Sequence, residues 1–175
     1  MVLLGIGAII PPAGAGSAGY FDAGDWFVRR EGGPSPGCTL GTGGYDRVTE
    51  RHEPILTVTV RPGGDISVTA NAASTLGLDA LRRMDLRLRV EGPQALSVPA
   101  VPSAITETRY ERSISLRPHF AAGDRRRRMR GLIDAMQAGD TLIVELGGRA
   151  LEPAFSLRGF SAVWDRAARW CGVED

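Results

Sequence analysis

Residues 55–69 have the sequence ILTVTVRPGGDISVT, in which two alternating runs flank a Pro-Gly-Gly turn. Branched side chains alternate with polar ones on both sides of the turn, and this two-residue period is typical of strands with one buried face. The proline and the two glycines supply the turn chemistry that a hairpin needs. The segment therefore predicts an antiparallel β-hairpin with strands over residues 55–60 and 65–69.

The same alternation recurs on both sides of the hairpin, and it predicts further half-buried strands. They cover residues 25–30 (DWFVRR), residues 84–90 (MDLRLRV) and, more weakly, residues 110–116. Prolines at positions 93, 99 and 102 interrupt the pattern. Because proline cannot donate to a strand ladder, we expect a loop or a short edge piece between them.

The hydrophobic period changes at Asp124, where apolar residues begin to recur at helical spacing as far as Met136. Gly139 is placed to end this helix, and residues 141–146 predict the strand that follows it. A last strand is predicted at 153–157, and an amphipathic helix from Phe160 carries the second cysteine back to the body of the domain. The chain is therefore predicted to be mainly β to α+β, an antiparallel sheet or sandwich with two covering helices in the C-terminal half.

The first 18 residues predict an export signal. Residues 2–10 are apolar and uncharged, a length that suits a signal peptide and is too short to span a membrane, and small residues follow Pro11 and Pro12. We expect cleavage before a mature chain that starts between Gly16 and Tyr20, residues 19–175 as one domain, and a periplasmic or secreted location with no transmembrane span. A basic n-region is missing, so either translation starts upstream of Met1 or Met1 is internal. A buried N-terminal strand is the alternative.

Two cysteines, Cys38 and Cys171, are the only ones in the chain. In an oxidising compartment two such cysteines usually pair, so a Cys38–Cys171 disulfide is predicted, with two free buried thiols as the alternative. No metal site is expected, because His52 and His119 do not stand at ligand spacing from a cysteine. No cofactor is expected either, since the fingerprint-like residues 14–19 (GAGSAG) have no helix after them.

The one concentrated chemical feature is a run of arginines, Arg125, Arg126, Arg127, Arg128 and Arg130, in a chain that has no lysine and a net charge of +1. Guanidinium groups recognise phosphate and carboxylate, so the run predicts docking on anionic lipid, lipopolysaccharide or an acidic protein. The alternative is a solvated helix end whose charges are compensated by Asp124, Glu111 or Asp134. Nucleic acid is not expected, because no aromatic residue interleaves the run.

Catalytic patterns are weak. Residues 159–163 (GFSAV) lack the second glycine of a nucleophile elbow, so Ser161 is expected to open the last helix. His119 is expected to be a packed or surface residue, and no carboxylate pair is brought together by spacing. We therefore predict an exported, non-enzymatic binding or envelope-associated protein. The alternative is a small periplasmic hydrolase that uses His119 or carboxylates assembled from distant positions.

Residues 138–145 (AGDTLIVE), residues 155–164 (FSLRGFSAVW) and the opening strand at 26–30 (WFVRR) carry a resemblance to a known family. They resemble the ends of the invasion-associated locus B family, secreted or periplasmic proteins of alphaproteobacteria with a small β-rich domain. The cysteine often found near the end of the family's first strand is here Arg30, and the family's central cysteine pair is absent. The resemblance implies an exported protein linked to host-cell invasion, and it carries no catalytic residues.

Overall fold

The computed structural model describes residues 19–32, 37–42, 45–46, 51–52, 56–73, 76, 78–107 and 112–173. The predicted export signal lies outside these residues. The strands are β1 (Tyr20–Ala23), β2 (Trp26–Arg30), β3 (Cys38–Thr42), β4 (Tyr45–Asp46), β5 (Arg51–His52), β6 (Leu56–Val60), β7 (Ile66–Ala73), β8 (Leu86–Glu91), β9 (Leu96–Glu107), β10 (Arg112–Pro118), β11 (Thr141–Leu146) and β12 (Arg149–Ser156). The helices are α1 (Leu78–Leu81), α2 (Arg125–Ala138), preceded by a short 3-10 helix (Ala122–Asp124), and α3 (Phe160–Cys171).

Ten of these strands form one sheet in the order β1-β2-β3-β6-β7-β10-β9-β8-β11-β12, and every neighbouring pair is antiparallel. The sheet curls around α2 and α3, whose apolar faces fill its concave side: α3 packs against β1, β2 and β3, and α2 packs against α3, β7 and β9. The predicted class, a mainly antiparallel β-sheet with two covering helices in the C-terminal half, is confirmed. The structure has one curled sheet where a two-layer sandwich was the other possibility.

The hairpin formed by β6 and β7 has the predicted strands and turn. Its register pairs Leu56 with Ala70 and Val60 with Ile66. Val58 and Val68 face each other and are buried, whereas the threonines between the valines are only half-buried. The two-residue alternation of the sequence therefore corresponds to an inner apolar face and an outer polar face.

The prediction of a loop or short edge piece between the prolines was wrong. Residues 96–107 form β9, an interior strand between β8 and β10. Both prolines inside it lie where ladder pairing is already interrupted: the β8 ladder reaches only as far as Pro99, and Pro102 adjoins a bulge in the β10 ladder. A missing N–H is tolerated at such positions, so the prolines did not prevent the strand.

The first hairpin and the last strand meet in a set of contacts that we call the clasp, formed by Gly24, Asp25 and Trp26 with residues 156–159. The Asp25 backbone N–H donates to the Arg158 carbonyl at 3.0 Å, and Trp26 Nε1 donates to the Ser156 carbonyl at 2.9 Å. Asp25 also accepts hydrogen bonds of 2.7 Å from both Ser156 Oγ and the Arg158 guanidinium. The clasp therefore joins the two ends of the strand order and fixes the curl of the sheet.

The predicted disulfide is confirmed. Cys38 at the start of β3 bonds to Cys171 at the end of α3, with Cα atoms 6.0 Å apart, and both cysteines are buried. The bond closes a sequence separation of 133 residues, for which the chain-entropy model gives a stabilisation of about 5 kcal/mol. It holds α3 against the sheet.

Candidate functional site

The arginine run forms the first two turns of α2. Its first four members, Arg125–Arg128, are exposed, and Arg130 is half-buried. The first buried residue of the helix is Met129, followed by Leu132, Ile133 and Met136. Because four consecutive helical positions cover a full turn, the run points in several directions around the helix end.

Two carboxylates lie near the exposed arginines. Asp124, directly before α2, accepts a 2.9 Å hydrogen bond from Arg127 and lies 4.0 Å from Arg128 Nε. Asp65, in the turn between β6 and β7, lies 3.9 Å from Arg125. All of these pairs are solvent-exposed, so each contributes little to stability. Of the three carboxylates expected to compensate the arginine charges, Asp124 does so. Asp134 is exposed, and Glu111 lies outside the described residues.

A shallow recess lies beside the run. It has a volume of about 670 Å³ and is lined by Arg126, Arg127 and Arg130, by the turn glycines Gly63 and Gly64, and by the chain after α3. The recess can therefore bring an anionic group next to the exposed Arg126 and Arg127.

The structure contains a second basic feature, which the sequence did not predict. It is a cleft of about 430 Å³ between β7 and β10, referred to below as the cleft. Three guanidinium groups, one imidazole and three hydroxyls line it. They belong to Arg61, Arg117, Arg125, His119, Ser67, Thr69 and Ser103. Val101, Phe120 and Met129 provide apolar walls. The cleft is thus mostly polar, with many hydrogen-bond donors and a small apolar surface.

Strand register creates the cleft. β7 pairs with β10 only from Ala70 to Ala73, so its first half, Ile66–Thr69, has β6 as its one strand partner in the described sheet. Beyond Leu116, β10 continues against β9 alone, past a bulge at Ser103. The two strands therefore part at this end, and the start of α2 lies beside the gap. The alternation of Arg117 with Ile114 and Leu116 in the sequence is enough to predict that Arg117 lies on the outer face of the strand. That Arg117 and Arg61 line the same cleft depends on the strand register.

His119, one of the residues that line the cleft, lies directly after β10. Its backbone N–H donates to the Pro99 carbonyl at 2.8 Å, which anchors the end of β10 to β9. Its exposed imidazole makes no hydrogen bond to the residues that the structure describes. The Ser103 hydroxyl donates instead to the Ser115 carbonyl at 3.1 Å. Ser161 lies elsewhere, near the start of α3, where its hydroxyl donates to the Gln137 carbonyl at 2.8 Å and links the two helices.

The carboxylates considered from the sequence are engaged separately. Asp65, Asp79 and Asp85 each lie within 4.0 Å of a nearby arginine. Asp46 belongs to β4, with its side chain outside what the structure describes, and Glu50 and Glu53 lie outside the described residues. Within the described part of the chain, no three His, Cys, Asp or Glu side chains are grouped so that they could hold a metal ion.

The described helices include none that is long and apolar enough to cross a membrane. Comparisons with known proteins add no relative: no family model, curated protein or solved structure matches the chain. The resemblance to the invasion-associated locus B family thus stays a prediction.

Proposed function

We propose that this chain is an exported protein, periplasmic or secreted, that works by binding and not by catalysis. Its docking surface is the arginine run, and its partner is an anionic component of the bacterial envelope, with an acidic protein as the other class of partner. The observation that carries the proposal is an excess of cations at one end of the molecule. Among the described residues, Arg125, Arg127 and Arg128 lie near two carboxylates, Asp65 and Asp124, and Arg126 has no ion-pair partner. These four arginines therefore exceed their described carboxylate partners by two charges.

Two arguments support a ligand at this surface. Cations at a helix N-terminus oppose the helix dipole by a few tenths of a kcal/mol each, so the arrangement costs stability unless an anion compensates it. Guanidinium groups also bind phosphate and carboxylate through paired donors, which suits the headgroups of acidic lipids and lipopolysaccharide.

Export is supported by the disulfide, since such bonds persist mainly in oxidising compartments. N-terminal sequencing of the protein recovered from a periplasmic or culture fraction tests this part. We expect a first residue between Gly16 and Tyr20. An intact Met1 in that fraction would contradict the proposed signal.

Vesicle binding tests the docking surface. We expect the disulfide-bonded protein to bind vesicles containing phosphatidylglycerol, and lipopolysaccharide, in a salt-sensitive way, and to ignore pure phosphatidylcholine. Replacing Arg126, Arg127 and Arg128 with glutamine should weaken this binding on the order of 100-fold, from about 1 kcal/mol per arginine near an anionic surface. The stability of the fold should be unchanged or slightly higher, because the adverse dipole effect is relieved.

The matched control replaces three exposed arginines elsewhere, Arg82, Arg83 and Arg149, with glutamine. It changes the net charge by the same amount and should leave most of the binding intact. If both triple variants lose binding equally, net charge and not the arginine run is responsible. If the wild type binds no anionic surface, the run is a solvated helix end.

A second candidate function is a small periplasmic hydrolase. The observation in its favour is that His119 lines the cleft together with Ser67 and Ser103. Assays with chromogenic phosphate and acyl esters, on the wild type and on His119→Ala, test it. Turnover that His119→Ala abolishes would establish the hydrolase and overturn the non-enzymatic proposal.

A further inference from the structure

We propose that the cleft between β7 and β10 is a binding site for one phosphate dianion, either free or as the monoester of a small organic group. This site is separate from the docking surface of the arginine run, with which it shares only Arg125. Its guanidinium groups come from three different parts of the chain: the end of β6, the end of β10 and the start of α2. No local sequence pattern brings these residues together, so their convergence is a property of the fold.

Two of the arginines already approach the same carboxylate. Arg61 lies 3.8 Å from one carboxylate oxygen of Asp65, and Arg125 lies 3.9 Å from the other. These distances are at the long end for an ion pair, and all three side chains are more than half exposed. Asp65 therefore lies between the two guanidinium groups without satisfying all of their N–H donors. An anion in the cleft can accept hydrogen bonds from the remaining donors.

The third arginine, Arg117, is exposed and has no ion-pair partner among the side chains that the structure describes. It stands on β10 beyond the last pair with β7, opposite Val101 of β9. The bulge at Ser103 lies on the same stretch of β9, so a hydroxyl and a guanidinium group face the cleft together.

Charge and donor number favour phosphate over carboxylate. Three guanidinium groups and the Asp65 carboxylate sum to a charge of +2, which matches a phosphate monoester at about −1.5 to −2 near neutral pH. A phosphate group also offers three terminal oxygens to donors that approach from several sides, whereas a carboxylate offers two in one plane. The hydroxyls of Ser67 and Thr69 line the same cleft and add two further hydrogen-bond donors.

The size and the walls of the cleft limit what the phosphate can be attached to. A volume of about 430 Å³ is in the range of sites for small molecules and too small for a polymer. The apolar side chains of Val101, Phe120 and Met129 line the cleft together with the arginines, so they can contact an esterified organic group while the guanidinium groups hold the phosphate. The ligand class is therefore a compact phosphomonoester, or a single lipid phosphate headgroup presented at a membrane.

Titration calorimetry of the full, disulfide-bonded protein tests the site, with inorganic phosphate, glycerol phosphate and acetate as ligands. We expect phosphate and glycerol phosphate to bind and acetate to bind at least tenfold more weakly. Arg117→Gln should weaken phosphate binding about tenfold or more, because it removes a charge-assisted, paired donor. Since Arg117 has no described ion pair to lose, the melting temperature of Arg117→Gln should equal that of the wild type. Arg61→Gln is a second variant, for which we expect the same loss of phosphate affinity.

The triple variant Arg126→Gln, Arg127→Gln and Arg128→Gln separates this proposal from the docking surface. It should bind phosphate within about twofold of the wild type while losing vesicle binding. Vesicles containing phosphatidic acid distinguish the two sources of phosphate. Vesicle binding that is lost in Arg117→Gln and competed by glycerol phosphate assigns a lipid headgroup, whereas vesicle binding indifferent to Arg117 assigns a free phosphate compound.

The proposal is overturned if no phosphate compound binds at millimolar concentration, if acetate binds as well as phosphate, or if Arg117→Gln and Arg61→Gln bind phosphate like the wild type. Equal loss of phosphate binding in the triple variant would also overturn it. That result would place the phosphate on the arginine run and leave the docking proposal standing.

Discussion

The clasp and the cleft are both places where strands end and arginine meets aspartate, yet they are built in opposite ways. At the clasp, Asp25 accepts hydrogen bonds from Ser156 and Arg158, and backbone groups from the two ends of the sheet bond directly. At the cleft, two arginines share Asp65 at 3.8 and 3.9 Å, and β7 parts from β10. Polar groups at the clasp are thus bonded to each other within the fold, whereas the two arginines at the cleft lie at the long end of ion-pair distance from one shared carboxylate.

The disulfide gives the largest expected effect on the side of the molecule held by α3. Replacing Cys38 and Cys171 together with alanine should lower the free energy of unfolding by about 4–5 kcal/mol, because the unfolded chain regains the entropy of a very long loop. Urea unfolding of the wild type and the double variant measures this. Thiol counting on the denatured, unreduced wild type should find no free cysteine, and two titratable thiols would contradict the bond.

Gly159 gives the next largest effect, within the clasp itself. Its φ is +95°, and a Cβ there would overlap the Ala23 carbonyl oxygen. Gly159→Ala combines a left-handed backbone with a clash against rigid main chain, so we expect it to cost more than about 3 kcal/mol of unfolding free energy. The matched control is Gly148→Ala, at φ +79° with no heavy atom within 4 Å of the new Cβ. This control should lose only about 1–2 kcal/mol. Equal losses of unfolding free energy in the two variants would mean that the close approach of the Ala23 carbonyl does not require glycine at position 159.

Local patterns predicted the elements whose neighbours in sequence are also neighbours in space. The β6–β7 hairpin and the helix that starts with the arginine run were predicted because alternation and helical spacing are written into one continuous segment. β3 was missed, since residues 38–42 (CTLGT) are short and follow a proline-glycine turn. β9 was missed because its prolines outweighed its apolar residues. The prolines are tolerated where pairing with a neighbouring strand ends, and the sequence of one strand alone does not show that position.

The candidate sites divide along the same line. The arginine run is nearly consecutive in sequence, so its members are evident from the sequence alone. Arg61, Arg117 and Arg125 line the cleft together because the part of β7 before Ala70 does not pair with β10. Register depends on how whole strands pack, and a one-residue shift would have turned Arg117 to the other face. The clasp likewise joins residues more than 130 positions apart.

The smallest expected effect is a pH dependence that belongs to the clasp. Hydrogen bonds from Arg158 and then from Ser156 hold the pKa of Asp25 below its ordinary value of 3.8. A carboxyl whose pKa is lower in the folded state than in the unfolded state stabilises the fold above its unfolded pKa, and this contribution is lost as pH falls through the folded pKa. Asp25→Asn should therefore reduce stability at neutral pH by a small amount, since the pair is exposed, and the difference from the wild type should shrink as pH falls below 3.8.

Urea unfolding of the wild type and Asp25→Asn over a pH series measures this difference. The control for general charge effects is Asp79→Asn, which removes an exposed carboxylate that lies 3.4 Å from Arg82. A difference between wild type and Asp25→Asn that stays constant or grows on acidification would show that the Asp25 carboxylate gains no stability from its partners in the clasp, and the contrast between the two regions would fail.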